Sequence, residues 1–308
     1  MLLRIAGFTL HVRTGDPDLP LAPDSAAAGF LVDAAATPAI DVDIAVSMTD
    51  LTVGRQHDDA LECIFDSGGS WRLHRHEHGL LFRVFSSDLP DAPYKTALLD
   101  HDLSHGHVRL HQPFFAGAHT INPLEYPLDE LLVITLLGRG GGVEIHGCGV
   151  IDGSSGWLFV GSSGAGKSTM ARLWLAARDT VILSDDRIVL RADDDGVWMY
   201  GTPWHGDAPL ASPRRARLDG IFFLRQHDRH ALGPVTRADA VTRLFAASFP
   251  AFHDASALDF TLGFLDRISQ TVRCAELSFT PAPNVIDFVR SGVRRPHSPS
   301  PPDTTPER

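Results

Sequence analysis

The sequence predicts an α/β protein in two parts, a β-rich segment over residues 1–126 and an α/β domain over residues 127–292. Three observations carry this. Short apolar runs broken by Asp, Pro and Gly fill the first part, and "WRLHRHEHGLLFRVF" alternates apolar and polar residues as half-buried strands do. From "PLDELL" onward the texture becomes strand, turn and helix in succession. Within that second part, "GWLFVGSSGAGKSTMARLWLAAR" sets a glycine-rich loop between an apolar strand and an amphipathic helix. The last stretch, 293–308, is proline-rich, polar and too poor in apolar residues to pack, so a disordered tail is expected there.

Taken in order, the first part should form strands at "LRIAGFTLHV", "IDVDIAVSM", "ALECIFDS", within "WRLHRHEHGLLFRVF", and at "HVRLHQPFF". In the second part Pro127 can open a helix, Asp129 and Glu130 suit its first turn, and Gly138, Gly140, Gly141 and Gly142 stop it. Strands follow at "GVEIHGCGVID" and "GWLFVG". The helix "KSTMARLWLAAR" places Met170, Leu173, Trp174 and Ala177 on one face. "TVILS" and "RIVLR" are strands on either side of Asp185 and Asp186, and "DDDG" is a turn before the strand "VWMYG". Beyond these come a strand at "GIFFLRQ", helices near 237–249 and 255–270, the strand "VRCAELSF" and a last helix in "APNVIDFVRSG".

Composition bounds the function. Of 308 residues, 44% are hydrophobic and 21% charged, as in soluble globular proteins. A formal net charge of −11 argues against broad binding to nucleic acid or anionic membrane. No run of eighteen apolar residues is present, so no membrane span is expected. Cys63, Cys148 and Cys274 are far apart and form no CxxC pair, which fits reduced thiols in a cytoplasmic protein. "MLLRIAGFTLHV" carries Arg4 and His11 inside its apolar run and reads as a first strand rather than an export signal.

The glycine loop carries the chemistry. Gly161, Gly166, Lys167 and Ser168 fit G-x-x-x-x-G-K-[ST]. A strand ending at Val160 and a helix beginning near Lys167 would aim successive N–H groups and the positive end of a helix dipole into one concave space. Residues Gly161, Ser162, Ser163, Gly164, Ala165, Gly166, Lys167, Ser168 and Thr169 are therefore the expected nucleotide-phosphate cradle. In such a cradle Lys167 can reach the β- and γ-phosphates of ATP, and the Ser168 hydroxyl can ligate Mg²⁺. A tight turn with a surface lysine is the plainer alternative. Asp185 and Asp186 end a buried strand and point to opposite sides of the backbone, so one can serve metal and the other act as general base. His146 lies on the strand before the loop strand, where an ordinary core or edge histidine is the competing reading.

The order "PLDELL…HG…GWLFVGSSGAGKST…LSDDRIVL" resembles the catalytic domain of the HPr kinase/phosphorylase-like family, related in fold to ATP-dependent phosphoenolpyruvate carboxykinases, over roughly residues 127–290. The resemblance implies an ATP- and Mg²⁺-dependent kinase acting on a serine hydroxyl of a protein or peptide. It makes His146 the assistant of a proton-accepting aspartate and the other aspartate a metal ligand. Base and metal ligand stay interchangeable on the sequence, with Asp186 set beside Ser168 as the metal ligand. Homo-oligomers are known in the family. The chain also departs from it. Thr169 stands where HPr kinases usually carry an acid, and "GTPWHGD", with His205 and Asp207, replaces their glutamate-bearing segment. These departures point away from HPr as the acceptor, and the resemblance to the HPr-kinase-like branch, in which "GTPWHGD" is also seen, implies a peptide such as a modified-peptide precursor. Two other readings are an ATP-binding regulator without catalysis and a carboxykinase or other small-molecule kinase. For the latter the nearest basic cluster is Arg214, Arg215 and Arg217, which reads equally as a solvated loop.

The first part is rich in histidine. "HRHEH" places His74, His76 and His78 at alternate positions of one strand face, and His101, His105, His107 and His111 follow. Facing imidazoles can bind Zn²⁺ or Ni²⁺. No cysteine or obvious carboxylate completes a site, so solvated strand faces are expected.

Overall fold

The computed structural model describes residues 1–33, 39–52, 61–206 and 208–293. The proline-rich stretch from 294 and the candidate Asp207 lie outside the described residues. The fold is mixed α/β and mostly sheet. No helix among the described residues is long and apolar enough to cross a membrane.

Eight strands form the first sheet: β1 (Leu2–Ile5), β2 (Phe8–Thr14), β3 (Val42–Thr49), β4 (Cys63–Asp66), β5 (Trp71–His76), β6 (Gly79–Val84), β7 (Lys95–Asp100) and β8 (His105–His111). Their order is β1-β2-β3-β8-β7-β6-β5-β4. The single first strand expected at "LRIAGFTLHV" is instead a hairpin, with Ile5 opposite Phe8. Ala6 and Gly7 turn it at φ 53° and 86°, the doubly left-handed backbone that a two-residue hairpin loop requires. A buried cluster that includes Leu10, Ile44, Leu73, Phe82 and Leu110 lies against this sheet.

The histidine pattern is not one strand face. His74 is buried in β5, His76 closes the β5–β6 hairpin opposite Gly79, and His78 lies in the turn. The hairpin reverses the chain before the alternation can continue. Among the described residues no three His, Cys, Asp or Glu side chains group to hold a metal.

The helix α1 (Leu128–Leu136) follows and runs into a π-type turn over Leu137–Gly141. It is apolar nearly all round, and Leu128, Leu131, Leu132 and Val133 join the same cluster as the first sheet. Val189 and Trp204, from farther along the chain, enter that cluster too. Asp129 and Glu130, expected as dipole-matched first-turn acids, are buried.

Nine strands form the second sheet: β9 (Val143–Asp152), β10 (Ser155–Val160), β11 (Thr180–Ser184), β12 (Arg187–Asp193), β13 (Gly196–Gly201), β14 (Arg215–Arg217), β15 (Gly220–Gln226), β16 (Ala231–Pro234) and β17 (Arg273–Phe279). The order is β14-β13-β12-β9-β10-β15-β17-β16, with β11 also paired to β9. Alternate residues of each central strand enter different clusters, as a sheet covered on both faces demands. Leu158, Val160, Ile221 and Phe223 pack with Leu244, Phe264 and Ile268 of the helices α3 (Arg237–Ala246) and α4 (Ala255–Thr271). Phe159, Phe222 and Leu277 pack with Met170 and Trp174 of the helix α2 (Lys167–Leu175) and Val285 and Val289 of α5 (Asn284–Val293). The short edge strands β14 and β16 were not expected, and Arg215 and Arg217 belong to β14 rather than to a solvated loop.

Candidate functional site

Strand β10 ends at Val160, and the chain turns through 161–166 into α2. Gly166 adopts φ +107°, and a Cβ there would come within 2.7 Å of the Phe279 ring. Gly164, at φ +79°, faces open space, and its carbonyl accepts a hydrogen bond from Gln226 (3.0 Å). No side chain caps α2, whose first turn closes with Met170 N–H donating to Gly166 O (2.8 Å). The helix N-terminus therefore offers its free N–H groups to an anion. Ser162, Ser163 and Gly164 are exposed, while Ala165, Gly166, Ser168 and Thr169 are half-buried.

Lys167 is buried and folded back on the loop, its Nζ donating to Gly161 O (2.8 Å) and Ser162 O (3.2 Å). Burial lowers its pKa, Asp186 opposes that, and Arg187 adds to the lowering. An ammonium held by two carbonyls alone is under-neutralised and suits a phosphate oxygen.

Antiparallel register between β9 and β12 sets Arg187 opposite His146 and so brings the histidine to the aspartate turn. His146 Nε2 lies 3.0 Å from Asp186 Oδ1. Arg187 Nη1 holds the other oxygen. Burial works against the Asp186 carboxylate, but the His146 contact and the charges of Arg187 and Lys167 outweigh it and lower its pKa. Asp185 and Asp186 form a bend rather than extended chain, and Asp185 has different partners from Asp186. It is buried, and its two oxygens accept from Gly206 N–H (3.0 Å) and Ala208 N–H (3.3 Å). Ser184 Oγ, donating to Trp204 O (2.9 Å), ties the same loop to β11. His205 lies at the rim, with Nδ1 3.0 Å from Gly206 O.

Sequence reasoning missed the acidic cluster behind this turn. Arg187 Nε donates to Glu130 Oε1 (2.9 Å) and lies 3.2 Å from Glu144 Oε1, with its guanidinium 4.2 Å over the Phe249 ring. Burial and the neighbouring Glu130 push the Glu144 carboxyl well above its usual range. Only Arg187, directly after the aspartates, was visible as a local signal. A cavity of about 400 Å³ opens over the cluster, bordered by Asp186, Arg187, Glu130, Tyr126 and Trp204 and by Asp24 from the first part of the chain. A hydroxyl-bearing chain entering there would meet Asp186.

No protein-family model matches the chain, and no curated protein matches its sequence.

Proposed function

We propose that the protein is an ATP-dependent kinase of the HPr-kinase-like type, built on that family's P-loop fold, acting on a serine hydroxyl of a protein or peptide in the cytoplasm. The single observation that carries this reading is the His146–Asp186 contact of 3.0 Å, formed beside a G-x-x-x-x-G-K-[ST] loop whose lysine senses the Asp186 charge. A protein that only bound ATP would need no oriented carboxylate there.

In this reading the uncapped N–H groups of α2 and Lys167 bind the β- and γ-phosphates. Ser168 would hold Mg²⁺, which when bound neutralises phosphate charge. Asp186, oriented by His146 and kept ionised by Arg187 and Lys167, takes the acceptor proton. This assignment moves Asp186 from metal ligand to base. Asp185, with both oxygens already accepting backbone N–H groups, fixes the loop around Trp204 and His205. The cavity of about 400 Å³ receives the acceptor.

The test is phosphate transfer from ATP by the purified protein with Mg²⁺, with and without serine peptides. Transfer to one acceptor, reduced about a hundredfold or more in Lys167→Ala and Asp186→Asn, is the expected result. ATP binding with no transfer to any acceptor, and no difference in Asp186→Asn, would overturn the reading in favour of an ATP-binding regulator.

A further inference from the structure

The Ala6–Gly7 turn of the first hairpin reaches the second sheet, and a cavity of about 620 Å³ opens where they meet. Arg4, Arg191 and Arg215 border it, together with Trp198, Tyr200 and one carboxylate, Asp193. The three arginines are not equivalent. Arg191 is a structural tie: it donates to Gly141 O (3.0 Å) and Ala6 O (2.9 Å), and its guanidinium lies 4.3 Å over the Phe8 ring. Gly7 permits this approach, since a Cβ there would come within 2.7 Å of Arg191 Nη1. Arg215 is exposed, stacks 4.5 Å over Trp198 and donates to the Tyr200 hydroxyl (3.0 Å). Arg4 Nε is buried and makes no hydrogen bond.

Asp193 does not balance three guanidiniums. Its Oδ1 already accepts from Asp195 N–H (3.0 Å) and Trp198 Nε1–H (2.9 Å). In a chain of net charge −11, a cavity with three cations to one committed anion is a local inversion of the overall field. A buried guanidinium donor without an acceptor is costly, and planar guanidinium forks match phosphate oxygens best. We propose that this cavity binds a small phosphate-bearing polyanion, with Arg4 and Arg215 as its donors and Arg191 as the fixed wall. Because β12 runs from Arg187 to Asp193, the bound anion clamps the first hairpin to the strand that begins at the candidate site. This site is separate from the glycine loop and does not depend on kinase activity.

Pyrophosphate is the probe, titrated calorimetrically into the full chain. Since the glycine loop also attracts it, the decisive protein is Lys167→Ala. That variant should still bind pyrophosphate, less tightly as salt rises. Adding Arg215→Gln or Arg4→Gln should weaken this remaining site about tenfold or more, the scale of one charge-assisted hydrogen bond. Arg215 is exposed, so its loss tests binding without risking the fold, and melting in anion-free buffer checks this. No pyrophosphate binding by Lys167→Ala, or binding indifferent to both arginine substitutions, would overturn the proposal. Failure of the kinase reading would appear only in phosphate transfer and leave this titration unchanged.

Discussion

Asp129 sits in the first turn of α1, where burial pushes its pKa up to about 7. An aspartate in an unfolded chain titrates near 3.9. Between those values the folded protein holds a proton that the unfolded chain has released. Stability therefore falls as pH rises through this window and levels above it, by up to about 4 kcal/mol for this group. Asp129→Asn removes that contribution. Denaturant midpoints taken near pH 5 and near pH 8 should lie closer together in the variant than in the wild type. An unchanged gap would show that Asp129 is not the group that titrates. Glu144, also raised by burial, contributes in the same direction, so the gap narrows without closing. Arg187 carries the opposite liability. It faces Glu130, Glu144 and Asp186 together, so Arg187→Ala leaves buried carboxylates uncompensated and should cost about 3–5 kcal/mol in urea unfolding. A loss within 1 kcal/mol or so would mean that the cluster is neutral in the native state. The pairing of His146 with Asp186 was legible only through the family resemblance, for the two lie on separate elements, 40 positions apart. The role of Glu130 was not, for it is 57 positions from Arg187 and resembled a dipole-matched surface acid.

Elements were readable where local rules dominate. The loop between β10 and α2 needs glycine at positive φ and an uncapped helix start, and both requirements are written in consecutive residues. Gly166→Ala forces an L-residue into φ +107° and drives its Cβ against Phe279. The expected outcome is a loss of about 1–3 kcal/mol in thermal or urea unfolding, together with weaker ATP binding if the proposed kinase function holds. Wild-type stability in that variant would mean that the loop can repack away from Phe279. The first hairpin escaped notice because Ala6 is an ordinary apolar residue at φ 53°, and its turn is held by Arg191, 185 positions away. Strands β14 and β16 escaped for a related reason. Three and four residues long, they owe their extended form to pairing with β13 and β17 rather than to their own composition.

Across the whole molecule, α1 does not keep to the α/β side of residue 127. Its leucines, with Val189 and Trp204, share one buried cluster with the first sheet. A fragment beginning at residue 127 would expose that apolar helix surface, so it should aggregate or melt well below the full chain, which should unfold in one transition. A soluble fragment with the full chain's melting temperature would mean that the helix repacks on the second sheet alone. The two-part texture was legible from composition, but this sharing was not, because an apolar helix does not announce which neighbour covers it. Trp204 stands at that junction: it is 6% exposed, borders the cavity beside Asp186, and its carbonyl anchors Ser184. Its indole emission depends on the polarity of its surroundings. Trp204 is one of five tryptophans, so the difference in emission between the wild type and Trp204→Phe isolates an intrinsic optical reporter of that cavity without any attached dye.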